Sequence, residues 1–548
     1  MLLPRPASVH RRSGAFPLDE ATGLTAPPEL LPTAHWLLDA LRRPTRLPLP
    51  LNTDAPRRIA LELDDALGPE EYRLTVEPEG IRVAGGSRAG VFYGGQTLLQ
   101  LLPPDVYRAA ATGHAPRWSV PAVTVEDRPR FAWRGLLLDV ARHFMPKHAL
   151  LRLIDLLALH RLNVLHLHLT DDQGWRVEIR RYPRLTEVGS WRASSPLGAA
   201  EDAPDDNRPH GGYYTQDDIR EIVAFAADRH ISIVPEIDVP GHSQAAIAAY
   251  PELGVTDARL GVRTRWGVNP HLLNAEESTV AFYRHVLDEI TELFPSLHVG
   301  IGGDECPKEQ WRQDARTQQL IAERGLADEK GLQSWFTTQL ADHLGTLGRR
   351  VLVWDEALEG PLPDSAMIAS WRGTAGAVTG ARRGFDVLSC PDHLVYLDYR
   401  QSEQDDEPIP FSIPLTLEDA YSFDPVPAAL TAEEATRVVG GQANVWTEHM
   451  DSPRTVDYYV FPRLCAVAEA LWATGERDFG EFRVRLQAHL ARLDAFGVEY
   501  RRPDGPLPWQ TRPGVRGKPS TREEWDALID RLTAGIRTAA PTPPPARA

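Results

Sequence analysis

Apolar and polar residues alternate in short runs through the first part of the chain. The clearest are Arg58-Ile59-Ala60-Leu61-Glu62-Leu63, Tyr72-Arg73-Leu74-Thr75-Val76 and Gly80-Ile81-Arg82-Val83. Successive side chains on a strand point to opposite faces, so this period of two predicts half-exposed antiparallel strands. Gly90–Leu102 then reads as a helix, and residues 1–125 are expected to form a small α+β domain. After Asp127-Arg128-Pro129-Arg130 the rhythm changes to continuous apolar runs, each ending in polar residues and mostly followed by a helical stretch. The runs are Gly135–Val140, Asn163–Thr170, Ile231–Ile237, Leu297–Ile301, Arg350–Trp354, Ala366–Trp371, Asp386–Cys390 and Val438–Val445. Strands buried on both faces have this appearance. Eight of them alternating with helices predict an α/β fold, a (β/α)8 TIM barrel over residues 126–500. The helix after the fifth run is expected to be missing or very short, because Glu359-Gly360-Pro361-Leu362-Pro363 breaks it. A doubly wound sheet finds no support, since no Gly-rich dinucleotide fingerprint follows an early strand. Residues 501–548 form a C-terminal tail. It carries one predicted helix, Ser520–Ile536, with Ser520 as its cap and Glu523 and Glu524 in its first turn. The Pro/Ala-rich end, Ala540–Ala548, is expected to be disordered.

Composition narrows the partners. The 548 residues are 42% hydrophobic and 25% charged, with a formal net charge of −17, which argues against nucleic acid and anionic membrane surfaces. Cys306, Cys390 and Cys465 are too few for a disulfide framework, and no two stand at metal-ligand spacing. Met1-Leu2-Leu3-Pro4-Arg5-Pro6 opens no apolar signal region, and no run approaches the ~18 apolar residues of a membrane span. The expected location is cytoplasmic, with secretion the alternative if a leader has been removed. No cofactor and no metal are expected. Oligomeric state is not readable.

The chemistry collects where the runs end, and barrel active sites lie at the carboxyl ends of the strands. The fourth run stops at Gly302-Gly303-Asp304-Glu305. Most Asp-Glu pairs are solvated turns, but paired acids at the end of a buried strand suit acid/base work such as glycoside hydrolysis. Trp354, Trp371 and Trp446 end three other runs. One Trp is usually core; three around one mouth would make an aromatic box for a sugar face or a small apolar group. Arg142, Asp398 and Glu448 at further strand ends could bind hydroxyls through charge-assisted hydrogen bonds. His166-Leu167-His168 invites a metal reading, as in barrel amidohydrolases. The pair lies mid-run, however, and the fifth and sixth strand ends supply no further His, so hydrogen-bonded core histidines are the expectation. Asp171 and His242 fit an orienting pair behind the acid.

With these strand ends in hand, the chain resembles the family-20 glycoside hydrolases, the β-N-acetylhexosaminidases. The motifs are Leu138-Asp139-Val140-Ala141-Arg142-His143-Phe144, His168-Leu169-Thr170-Asp171-Asp172-Gln173-Gly174-Trp175-Arg176, Asp238-Val239-Pro240-Gly241-His242, Gly302-Gly303-Asp304-Glu305 and Gln442-Ala443-Asn444-Val445-Trp446-Thr447-Glu448. The resemblance runs from residue 1 to about 500 and leaves the tail unexplained. It implies exo-hydrolysis of terminal β-linked N-acetylhexosamine from an oligosaccharide, in which the substrate's own acetamido group attacks C1 and configuration is retained. It further implies Glu305 as general acid/base, Asp304 on the acetamido N–H and Tyr396 on the acetamido oxygen. Trp354, Trp371 and Trp446 would box the acetyl group. Arg142 and Glu448 would hold the 3- and 4-hydroxyls, Asp398 another hydroxyl, and Asp171 with His242 would form a relay behind Glu305. A two-carboxylate exo-glycosidase, a metal-dependent amidohydrolase and a non-catalytic sugar-binding barrel are the alternatives. The gluco or galacto preference and the natural substrate (chitin fragments, peptidoglycan or glycans) stay open, resting on loops such as Pro196–His210 and Gln401–Pro410, expected to be flexible.

Overall fold

The computed structural model describes residues 1–113 and 117–538; the expectation for Ala540–Ala548 lies outside them. The first unit is a six-stranded sheet in the order Ser8–Pro17, Ser119–Asp127, Tyr72–Glu77, Gly80–Gly85, Arg57–Leu63, Thr22–Thr25. Helices Leu31–Thr45 and Arg88–Leu101 accompany it, the second capped by Ser87, whose hydroxyl accepts from the Ala89 N–H. The three alternating runs are strands, but not all antiparallel. Tyr72–Glu77 and Gly80–Gly85 form a hairpin, while Arg57–Leu63 pairs in parallel with both of its neighbours. It joins the far side of the hairpin, and alternation reports which face is buried without fixing strand direction.

Eight parallel strands then close a barrel: Trp133–Asp139, Val164–His168, Ser232–Glu236, His298–Gly300, Arg350–Trp354, Met367–Ser370, Asp386–Ser389 and Val438–Val445. All seven residues of the first strand are buried, as expected for a strand covered on both faces. The first unit meets the barrel at the start of the first two strands. There Arg134 pairs with Glu70 at 2.7 Å, Arg161 donates to Thr97, and Asp127 accepts from Tyr72 and Trp472. The opposite end, where the strands finish, stays open for chemistry.

Only a 3-10 turn, Asp355–Glu359, follows the fifth strand. The tail occupies this side of the barrel. Lys518–Pro519 pairs with Phe411–Ser412, and the helix Arg522–Thr538 packs on the Asp355–Glu359 turn and on helix Ala375–Arg382. Its cap is Thr521, not Ser520: the Thr521 hydroxyl accepts from the Glu524 N–H while the Glu524 carboxylate accepts from the Thr521 N–H. This reciprocal pair satisfies two otherwise unpaired donors, which Ser520 one residue earlier is out of register to do.

Candidate active site

Each wall of the barrel mouth is set by the residue that ends a strand. Asp139 closes the first strand and accepts from the N–H groups of Ala141, Arg142 and Thr447. This turns the chain so that Arg142 points across the mouth. The Arg142 guanidinium meets Asp171 at 2.8 Å, Asp139 at 3.3 Å and Glu448 at 3.9 Å, donates to Gln173, and lies 5.2 Å from the Trp446 ring.

The third and fourth strands bring the acids together. Asp238 accepts from the Gly303 N–H at 3.1 Å. A Cβ on Gly302 would fall 1.8 Å from the Asp238 carboxylate, so only glycine allows this approach. The chain then turns through positive φ at Gly302, Gly303 and Glu305, and His242 opposite has φ 47°. Non-glycine residues held in this region cluster at functional sites. The outcome is one imidazole between two carboxylates: His242 Nε2 lies 3.7 Å from Asp304 and 3.7 Å from Glu305. Its Nδ1 meets Asp171 at 3.2 Å. The contacts continue inward, since His168 bridges Asp171 at 2.9 Å and Glu236 at 2.6 Å, and His166 also reaches Glu236 at 3.2 Å. Both histidines of the His166-Leu167-His168 run are buried and hydrogen-bonded, His166 through its Nδ1 to Gln442 at 3.3 Å, but His168 directly extends the array behind the acids.

Electrostatics follow from this crowding. Burial alone would keep His242 neutral, yet Asp171, Asp304 and Asp238 raise its pKa well above the ordinary value. Asp171 is held well below the usual carboxylate range; burial opposes this, but the Arg142 and His242 charges prevail. Glu305 keeps 35% of its side chain exposed toward open space, while the surrounding walls remove enough water to push its pKa up. Asp304 pushes it further, and His242 and Arg142 pull against both. Burial also raises Asp304, with His242 opposing. Cys306 is raised by burial, which does not favour a thiolate nucleophile.

The later strands supply rings. Trp371 and Tyr396 stack with centroids 6.0 Å apart and an interplanar angle of 26°, and Tyr396 and Trp446 are 6.2 Å apart. The Trp371 indole N–H is shared between the two Glu356 oxygens at 3.1 and 3.2 Å. These rings, with Arg142, Asp304, Glu305, Asp398 and Glu448, line a cavity of about 650 Å3, within the range that holds a small ligand. Trp354 differs from the expectation of a wall residue. It is 1% exposed and lies beneath Trp446, centroids 6.0 Å apart, because it is the last residue of its strand and still points into the barrel. Asp304 Oδ1, Asp398 Oδ1 and Trp354 Nε1 are buried without a hydrogen-bond partner. Buried polar atoms are normally paired, so such orphans call for a ligand or water. Burial raises the Tyr396 hydroxyl well above the usual value, so it keeps its proton and can donate.

Residues 131–475 match the catalytic domain of glycosyl hydrolase family 20, and residues 1–128 match domain 2 of that family. The chain belongs to glycosyl hydrolase family 20. It is 37% identical to a β-hexosaminidase of Porphyromonas gingivalis over 98% of this chain and 68% of that protein. Among solved structures, a family 20 exo-β-N-acetylglucosaminidase of Vibrio harveyi in complex with N-acetylglucosamine superposes with a TM-score of 0.79. It shares 36% identity and covers 92% of this chain and 78% of its own. A β-N-acetylhexosaminidase of Streptomyces coelicolor gives a TM-score of 0.80 at 31% identity, covering 94% of this chain and 98% of its own.

Within this family 20 chain, the structure gathers eight of the expected site residues around one mouth, with Asp171 and His242 behind the acids and Trp354 as the layer below. Three further groups of residues escaped sequence reading. Glu236 and His168 are the fully buried last residues of their strands, where a buried polar residue looks like any satisfied core group. Trp266 and Val268 come from the irregular stretch before Leu272, which has no period to follow. Trp525, Leu528, Ile529 and Leu532 come from the tail helix; their i, i+3, i+4, i+7 spacing was the one available signal. The Pro196–His210 loop reaches the cavity through Pro196, Ala199 and Ala200, and Asp206 accepts from the Ser195 N–H. The Gln401–Pro410 loop is tied down by Glu407, which accepts from Arg501, Ser402 and Tyr458. No helix among the described residues is long and apolar enough to cross a membrane.

Proposed function

We propose that this protein removes terminal, non-reducing β-linked N-acetylhexosamine from oligosaccharides, with retention of configuration, through attack of the substrate's 2-acetamido oxygen on C1. Family 20 is a known exception to the two-carboxylate scheme and uses this substrate assistance. The observation that carries the reading is the placement of Asp304 and Glu305 against one imidazole, at the edge of a cavity walled by Trp371, Tyr396 and Trp446.

Glu305 acts first as acid. Its raised pKa keeps a proton available for the glycosidic oxygen. As the bond to C1 breaks, the acetamido oxygen forms the new bond and positive charge grows on the acetamido nitrogen. Asp304, with one unpaired oxygen, takes the acetamido N–H and stabilises that charge. Tyr396 donates its hydroxyl proton to the acetamido oxygen and fixes its approach. Tethering the nucleophile to the substrate is worth roughly 7–11 kcal/mol when alignment is good. Water then attacks C1, breaking its bond to the acetamido oxygen and regenerating the acetamido group, and gives its proton to Glu305, which restores the acid. His242, charged and anchored by Asp171, limits how far the Glu305 pKa rises, so that the same carboxyl can serve as base. Trp371 and Trp446 enclose the acetyl group, with Trp354 backing Trp446. Arg142, Glu448 and Asp398 hold ring hydroxyls.

The test is hydrolysis of paired chromogenic β-N-acetylglucosaminide, β-N-acetylgalactosaminide and β-glucoside. The N-acetylated substrates should be cleaved and the plain glucoside at most very slowly. Comparable rates for the glucoside would sink the proposal.

A further inference from the structure

Three segments far apart in sequence meet above one arc of the barrel mouth. The Pro196–His210 loop follows strand two, Phe411–Ser412 follows strand seven, and tail residues 515–520 run between them. On one side the Ala199 N–H donates to the Arg516 carbonyl at 2.9 Å. A Cβ on Gly198 would fall 2.4 Å from that carbonyl, so the two backbones touch. On the other side the Lys518 N–H donates to the Pro410 carbonyl at 2.8 Å and the Ser520 N–H to the Ser412 carbonyl at 3.1 Å. Arg516 pairs with Asp202 at 2.6 Å and Lys518 with Glu201 at 3.0 Å. Strands seven, eight, one and two are consecutive neighbours in the closed barrel. The short arc from the loop after strand two to the loop after strand seven thus crosses the ends of strands one and eight. The tail takes that arc, since Arg512, just before the segment, is anchored at 2.9 Å to Asp451, three residues beyond Glu448.

We infer that residues 515–520, strapped to the Pro196–His210 loop, form a bar across the non-reducing side of the sugar cavity, and that this bar limits hydrolysis to a sugar whose 4-hydroxyl is free. The inference rests on the reading of Arg142 and Glu448 as the groups that hold the 3- and 4-hydroxyls, because theirs are the strand ends the bar crosses. Ala199, Ala200 and Glu201 from the loop and Lys518 and Ser520 from the tail line the same cavity as Arg142 and Glu448. His449, beside Glu448, lines it too and keeps a buried Nδ1 without a partner. Buried polar atoms are normally paired, so this one suits a free hydroxyl or a water. A further sugar on the 4-oxygen would instead meet the bar, where loop and tail are already bonded backbone to backbone. Exposed ion pairs are worth little by themselves; the backbone bonds hold the bar, and the side chains of Glu201 and Lys518 fill the gap beside it. Glu305 stands on strand four, on the opposite arc, so the bar acts on which sugar enters and not on proton transfer. It lies outside residues 131–475, the part that matches the family's catalytic domain.

The experiment compares kcat/KM for an aryl β-N-acetylglucosaminide with kcat/KM for its 4-O-methyl ether, the smallest probe of an extension at that oxygen. In the wild type the ether should be much the poorer substrate. The side chains of Glu201 and Lys518 are 86% and 56% exposed, and surface substitutions of this kind seldom disturb a fold. The double variant Glu201→Ala/Lys518→Ala shortens both side chains at the rim and should raise the ether-to-parent ratio by about tenfold, the lower range for one carbon of room in a pocket. An unchanged ratio would overturn the inference, and so would a wild type that cleaves the ether as readily as the parent. Failure of the functional reading itself looks different: the wild type would then cleave a plain aryl β-glucoside as fast as the N-acetylated parent.

Discussion

The two halves of the barrel mouth are built on opposite terms. Strands one to four end in charges that meet one another, Arg142 on Asp171, Asp171 on His242 and His168, and His168 on Glu236, with unpaired oxygens left on Asp172, Asp238 and Asp304. Strands five to eight end in rings and in carboxyls that burial pushes up, Glu356 and Asp398 among them, with orphaned polar atoms on Trp354 and Asp398. Paired charge sets proton affinities and resists rearrangement; rings and unpaired groups wait for a ligand. Asp304 and Glu305 stand at the seam, and each half reaches them. The charged half should therefore govern the pH dependence, and the aromatic half the binding and alignment of substrate.

The largest effect should come from the seam. Glu305→Gln cannot give or take the proton and should lose at least ~10²-fold in kcat, the lower range for general acid catalysis. A near-normal turnover would remove Glu305 from its role. Asp304→Asn should lower kcat by about 10²–10³-fold, the range for removing a group aimed at charge that develops in the transition state. A change confined to KM would make Asp304 a binding residue only.

On the aromatic side, Trp371→Ala removes a ring stacked on Tyr396. A stacked pair is worth about 0.5–1.5 kcal/mol beyond its buried area, so kcat/KM should fall by about two- to tenfold. Equal loss for a plain glucoside would show that the ring does not sense the acetamido group.

The charged half should be visible in pH profiles. Glu305 must enter the first step protonated, so kcat/KM falls as pH rises through its raised folded pKa. The His242 charge lowers that pKa, so His242→Gln should move the alkaline limb to higher pH. The Asp304 charge raises it, so Asp304→Asn should move the limb to lower pH. Limbs that do not move, or move the same way, would disconnect these groups from Glu305. The smallest catalytic effect is expected from His168→Gln, which lies one step deeper, but its stability should fall by about 3–5 kcal/mol, the usual cost of breaking a buried pair. Asp171 and Glu236 hold the His168 pKa well above its ordinary value against burial. Its contribution is therefore complete below the unfolded value of about 6.5 and is lost as pH rises through the folded one. The denaturant midpoints of variant and wild type should converge toward alkaline pH.

Much of this was legible in the residues. The eight apolar runs became the eight barrel strands because strands buried on both faces can be read as unbroken hydrophobic stretches. Their last polar residues became the mouth because chain order fixes which end of a parallel strand faces it. Three things were not legible. The direction of Arg57–Leu63 depends on which side of a hairpin it joins, which one strand's pattern does not encode. His168 looked like a core residue because its partner Glu236 is 68 residues away. The tail helix was foreseen as a helix, but its place beside the short turn after the fifth strand follows from tertiary contacts: the packing of Trp525, Ile529 and Ile536 and the bonds of Trp525 to Asp392 and Arg372 to the Leu532 carbonyl.

The central claim is that the substrate's acetamido oxygen is the nucleophile. It is tested most directly by a series of aryl β-glycosides carrying N-acetyl, N-fluoroacetyl, N-difluoroacetyl and N-trifluoroacetyl groups. Each fluorine withdraws electrons from the attacking oxygen while changing its size little. The account predicts that log kcat/KM falls steeply and steadily along the series. A flat series would contradict it.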